Sequence, residues 1–168
     1  PHIEMVLNCP AIIQNGADVK VLDRGYHEEG GGILITGGEE PPMGELGEAV
    51  QNLLWLVSEF NFQSEGDKSR AIAALLTPAL RMGGFLKGHI PIDFAEADKS
   101  QAGKDYRHDM VCAIYSEQPS LVTNKTGGVG SVDESFSAAL VSGRPFIRLG
   151  NFRGKVASGH LEAFMTCR

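Results

Sequence analysis

A lysine directly after a glycine, where a loop enters a helix, is a pair that can grip phosphate groups, and this chain has one at Gly103-Lys104. The surrounding Asp98-Lys99-Ser100-Gln101-Ala102-Gly103-Lys104-Asp105 has the length of the phosphate-binding pattern G-x-x-x-x-G-K-[ST]. In that pattern successive backbone N–H groups and the following helix N-terminus surround the phosphates, the lysine reaches the terminal ones, and the hydroxyl binds magnesium. Gly103 and Lys104 are kept, whereas Asp98 stands where the first glycine is usual and Asp105 where Ser or Thr is usual. The same letters also read as an ordinary loop-to-helix junction, with Gly103 relieving a turn and Lys104 solvated.

Other groups are weaker candidates. Asp93, Glu96 and Asp98 lie close in sequence, but an acidic series at a strand end reads as a solvated rim, with no matched histidine nearby. His108 and Asp109 are neighbours on a helix and so do not face each other. Ser135 and Ser137 lack a Gly-x-Ser-x-Gly elbow, which leaves a serine hydrolase without support. Asp133 and Glu134 are accounted for by a capping box. Lys125 and the glycines after it read as a flexible connector or as a second anion loop. Cys9, Cys112 and Cys167 are odd in number and widely spaced, which indicates neither a disulfide framework nor a zinc site and fits a reducing cytoplasm.

The elements that would position the Gly103-Lys104 loop follow from periodicity. Short apolar runs between Ala11 and Thr36, broken by Asn15-Gly16 and Gly30-Gly31-Gly32, predict two or three strands with tight turns. Leu46, Val50, Leu53, Leu54 and Val57 form the stripe of an amphipathic helix with one buried face, and Trp55, off that stripe, is expected to pack against neighbouring structure. Ser64 with Asp67 starts a second helix that runs to Gly83-Gly84 and contains Pro78. Ile90–Phe94 predicts a strand, residues 96–104 a loop and Tyr106–Tyr115 a helix, the strand-loop-helix context that a phosphate loop requires. Leu121–Thr123 predicts a short strand. Ser131 to Glu134 opens a helix closed by Gly143, Pro145–Leu149 predicts a strand, and a short helix covers His160–Met165. Arg148 in mid-strand predicts a strand exposed on one face rather than an arginine finger. Alternating strands and helices make a mainly parallel α/β sheet the economical fold.

Composition is that of a folded globular chain: 168 residues, 42% apolar and 21% charged. Residues 1–50 hold nine acidic side chains against Lys20 and Arg24, a poor surface for nucleic acid, whereas eight basic residues face five acidic ones between Lys99 and Lys155. No window approaches eighteen continuous apolar residues and no signal peptide is visible at Pro1-His2-Ile3-Glu4, so neither a membrane span nor secretion is expected. A chain running from Pro1 to Arg168 without an initiator Met is compatible with a piece of a longer protein.

Three segments carry a resemblance. Residues 60–81 (FNFQSEGDKSRAIAALLTPALR) resemble the region upstream of the phosphate loop in the P-loop ATPase domains of phage and mobile-element replication proteins, which occur with primase or helicase modules. Leu22-Asp23-Arg24-Gly25-Tyr26-His27 with Gly32-Ile33-Leu34 is similar to that family's "GYD…TGI" hairpin, and residues 140–151 (LVSGRPFIRLGN) to its Walker B strand, "SG.P.I.LDN". The resemblance runs from about Cys9 to the C-terminus. It implies a P-loop NTPase-like fold with a mainly parallel sheet, in which residues 1–40 form a small β-hairpin region, 41–88 a helical segment and 89–168 a partial core. It further implies ATP and magnesium as ligands, an ATPase activity, DNA contact through the parent protein and possible homo-oligomers. Ser100, Gln101, Ala102, Gly103, Lys104 and Asp105 would cradle the phosphates, with Lys104 on the terminal ones and Asn151 orienting a water or metal. The chain departs from the family at both metal-holding positions: Gly150 replaces the Walker B aspartate and Asp105 the hydroxyl. Phosphoryl transfer depends on positioning and on charge neutralisation by the metal, so hydrolysis is expected to be severely slowed. At ~4 Å from a triphosphate, the Asp105 charge costs several kcal/mol. The competing readings are a non-catalytic remnant or interaction domain of the same fold, and a nucleic-acid-binding module built on residues 99–155. The latter lacks interleaved aromatics.

Overall fold

The computed structural model describes residues 1–40, 42–96, 103–125, 130–150, 152 and 156–167. The chain is mixed α/β, with small sheets and, among the described residues, five helices. Strands β1 (Met5–Leu7), β2 (Ala11–Asn15), β3 (Asp18–Leu22), β4 (Gly25–His27) and β5 (Ile33–Ile35) build the N-terminal region. β1 runs parallel to β5 and β4 antiparallel to it, while β2 and β3 form a hairpin. Asn15 pairs with Asp18, so Gly16-Ala17 is a two-residue loop, and Gly16 supplies the φ of +66° that this turn requires. Alternation along the strands buries Leu7, Ala11, Ile13, Leu22, Ile33 and Ile35 in one core, as the apolar runs predict.

Helix α1 (Leu46–Leu56) differs from expectation. Only the end of its stripe is covered: Val57 is 1% exposed, but Leu46 is 79% and Val50 44% exposed. Trp55, expected to pack against neighbouring structure, is 73% exposed, because it lies half a turn round from the stripe.

Helix α2 (Glu65–Met82) begins where the capping residues place it, the Asp67 N–H donating to Ser64 Oγ at 3.1 Å. Pro78 lies inside it and gives the Ala74 carbonyl no helical donor. At that turn the Tyr115 hydroxyl accepts from the Ala79 N–H (3.2 Å) and donates to the Leu75 carbonyl (2.5 Å). Those two backbone groups are i→i−4 partners, so one phenol stabilises the turn that the proline disturbs. Gly83 ends α2 with its Cα against the hairpin; a Cβ there would lie 1.8 Å from the Ile12 carbonyl oxygen. Leu75, Val57, Cys9, Val111 and Tyr115 form a second core, joined to the first through Met82.

Helix α3 (Lys104–Ile114), strand β6 (Ser120–Thr123), helix α4 (Val132–Val141), strand β7 (Ile147–Gly150) and helix α5 (Gly159–Thr166) complete the chain. β6 and β7 pair in parallel from Ser120↔Ile147 to Thr123↔Gly150, with α4 as the crossover. α4 covers one face, where Val122, Val132, Phe136 and Ala139 make a third core. The capping box forms in a shifted version: the Glu134 N–H reaches Ser131 Oγ at 3.4 Å, while Glu134 Oε2 accepts from Gly130 N–H, one residue before the cap. Asp133 instead accepts the Ser158 hydroxyl (2.5 Å) and the His160 N–H (3.4 Å), tying the start of α5 to α4.

Two expectations about the sheet are corrected. Parallel pairing among the described residues is limited to β1–β5 and β6–β7, so the sheets are small. Ile90–Phe94 is not a strand: Phe94 is 84% exposed, and Pro91 lacks the N–H that an interior ladder position needs.

Candidate functional site

Gly103 caps α3 with φ +81° and ψ 5°, a left-handed conformation that glycine adopts without penalty. Space does not select the glycine, since a Cβ there would make ordinary contact with the Phe60 ring at 3.5 Å. Conformation does. Among the described residues no side-chain oxygen caps α3, and its first closing bond runs from the Arg107 N–H to the Gly103 carbonyl (2.9 Å). The N–H groups of Lys104, Asp105 and Tyr106 therefore lack helical acceptors and project at the positive end of the helix dipole. Lys104 and Asp105 are exposed beside them. Phe60 stacks on Tyr106, ring centroids 6.2 Å apart, and forms an aromatic wall next to the glycine.

One turn further in, Arg107 is 6% exposed and donates to Asp93 Oδ1 at 2.8 Å. His108 Nε2 lies 3.5 Å from Asp93 Oδ2 and 3.2 Å from Arg107 Nη2. Burial, then the Arg107 charge, holds the imidazole below its ordinary value despite Asp93 and Asp105, so His108 is neutral near pH 7. Asp93 is thus the partner of a buried cation rather than the solvated rim that its acidic neighbours suggest. Asp109 turns away from His108, as helix geometry requires, and pairs with Arg148 of β7 on the sheet face opposite α4. Arg148 accordingly sits on a half-covered strand. Burial raises the thiols of Cys9 and Cys112, which keeps both in the unreactive protonated form.

Of the residues read as a phosphate cradle, Gly103, Lys104 and Asp105 are brought together at the α3 terminus. Ser100, Gln101 and Ala102, with Asp98 and Asn151, lie outside the described residues, as do residues 126–129 of the second loop. At Gly150, which the resemblance aligns with the Walker B aspartate, a Cβ would come within 2.8 Å of Leu121 Cδ1, and among the described residues no group of three His, Cys, Asp or Glu side chains is placed to hold a metal.

Three participants were not singled out from sequence: Phe60, Tyr106 and the Asp93–Arg107 pair. Arg107 carries a readable signal, because it lies at i−4 from Val111 on the buried face of α3, and a cation there needs a counter-charge. A serine–histidine contact also arises, Ser137 Oγ to His160 Nδ1 at 2.7 Å. Asp133 binds the His160 main chain rather than its ring, so the trio ties α4 to α5 and lacks the geometry of a catalytic triad. No helix among the described residues is long and apolar enough to cross a membrane. No family model, no characterised protein and no solved structure matches the chain.

Proposed function

We propose that this domain binds the phosphates of a nucleotide, ATP by resemblance, at the start of α3, and that it does so without magnesium-dependent hydrolysis. The observation that carries this reading is the left-handed Gly103 directly before Lys104 at the start of an eleven-residue helix with no side-chain cap among the described residues. Three N–H groups, the helix dipole and the exposed Lys104 lie at one helix end, the combination that binds phosphate elsewhere. Asp105 opposes it, and Gly150 and Asp105 stand where the resembled family holds its magnesium, so binding without turnover is the expected behaviour. A setting in cytoplasmic DNA replication of a phage or mobile element, with DNA contact and oligomerisation through the parent protein, follows from the resemblance alone.

The test is calorimetric titration of the chain with ATP, with and without magnesium. Binding that Lys104→Ala abolishes and that magnesium leaves unchanged supports the reading. Equal heats from both proteins refute it and leave the same fold as a non-catalytic interaction domain, a reading favoured by the Asp105 carboxylate already placed at the helix dipole.

A further inference from the structure

Strand β6 pairs with β7 on one side, and among the described residues its other edge is unpaired. Parallel strands normally occur in buried sheets of several strands, so a lone parallel pair is an incomplete unit. The Ser120 N–H donates to the Phe146 carbonyl at 2.9 Å, on the β7 side. By alternation Leu121 and Thr123 turn their N–H and C=O groups to the open edge, and Leu121 is 54% exposed. The strand, Ser120-Leu121-Val122-Thr123, contains no charge and no proline, the usual shields of an exposed edge.

Beside this edge lies a shallow, open depression of about 430 Å³ bounded by Ser120, Leu121, Ser135, Ala138, Ser142 and Arg144. No β7 residue lines it, so it opens on the unpaired side. Small side chains at 135, 138 and 142 leave room for another backbone at the usual strand spacing of about 4.8 Å. Arg144 supplies the charge at the Ser120 end, where one of its N–H groups reaches the Gln118 carbonyl at 3.5 Å.

We infer that the β6 edge binds an extended segment of another protein, which adds as a third strand and places a carboxylate against Arg144. The edge presents backbone donors and acceptors without partners among the described residues, an extended polypeptide supplies those partners, and the cation selects an acidic residue within it. A second copy of this chain fits less well. Two-fold pairing of β6 with itself runs antiparallel and offers Arg144 no carboxylate, since residues 120–125 contain none.

The test uses the full chain, labelled with nitrogen-15, titrated with the hexapeptides TVTVTD and DTVTVT, which cover both strand directions. One of them should shift the Leu121 and Thr123 amides saturably. Replacing its Asp by Asn, or Arg144→Gln in the protein, should each weaken binding about tenfold. The same peptide with alternate amides N-methylated leaves the protein untouched and should not bind. Equal binding of the N-methylated peptide, or no shift at Leu121 and Thr123, overturns the inference. So does sedimentation that shows a dimer whose dissociation moves those same amides.

Discussion

Replacing Tyr115 by phenylalanine removes one oxygen from the centre of the molecule and tests how α2 tolerates Pro78. The ring should stay, since Tyr115 is 7% exposed and packs on Phe146 with centroids 5.7 Å apart. What is lost is the acceptor for the Ala79 N–H and the donor to the Leu75 carbonyl. Leaving a buried backbone group unsatisfied costs about 1–3 kcal/mol, so two cost about 2–4 kcal/mol after partial mutual recovery. Recovery is limited because the Pro78 ring presses on the carbonyl of Ala74 and resists closure of that turn. In a Pro78→Ala background the helical bond can re-form, and Tyr115→Phe should then cost below about 1 kcal/mol, a coupling of about 1–3 kcal/mol. Urea unfolding of the four proteins measures this, read as midpoint shifts at constant slope. A cost for Tyr115→Phe under about 0.5 kcal/mol, or an equal cost in both backgrounds, refutes the role given to the hydroxyl.

Gly83→Ala should destabilise by about 1–3 kcal/mol or more, because the new methyl meets the Ile12 carbonyl while φ of −79° is open to any residue; thermal unfolding reads it. Gly84→Ala acts by the other mechanism, open space but φ of +76°, and should cost about 1–2 kcal/mol, partly recovered by Gly84→Asn. His108 makes stability fall with acid. Its folded value lies below the ordinary 6.5, so the unfolded chain binds the extra proton; the contribution is complete above pH 6.5 and lost as pH falls towards the folded value. Denaturation midpoints compared at about pH 7.5 and about pH 5.5 should differ less in His108→Gln, and an unchanged difference contradicts the assignment. Ser158→Ala removes a buried cap hydroxyl that accepts the Leu161 N–H and donates to Asp133, so it should cost about 1 kcal/mol and speed amide exchange in α5.

The parts of this fold that were legible are those coded locally. Ser64 and Ser131 announce helix starts through side-chain oxygens within three residues, and Gly16 fixes its hairpin turn by conformation alone. What was not legible depends on partners distant in sequence. Leu46 and Val50 have the period of a buried face, but periodicity cannot say whether another element arrives to cover it. Ile90–Phe94 has alternating apolar residues, yet Asp93 is drawn to Arg107, fourteen positions away. Within the candidate site the Gly103-Lys104 junction could be read directly, because its requirement is a backbone angle. The aromatic wall from Phe60 and the Asp93–Arg107 pair could not, since both join segments separated by loops.

These differences alter how a phosphate site on α3 would be held. In a strand-loop-helix arrangement the loop is stretched between a strand fixed in a sheet and the helix it feeds, so its N–H groups inherit the rigidity of the sheet. Here Asp93 is held by the buried Arg107 of α3, and the helix by Arg148 to Asp109 and Tyr115 to α2. All three contacts grip α3 from residue 107 onward or just beyond its end. The helix that begins at Lys104 is thus held by its own long-range partners rather than by a preceding strand. Binding at such a site would rest on the helix end and the lysine, which predicts modest affinity with little selectivity among nucleotides, since phosphate is the feature that a helix end recognises.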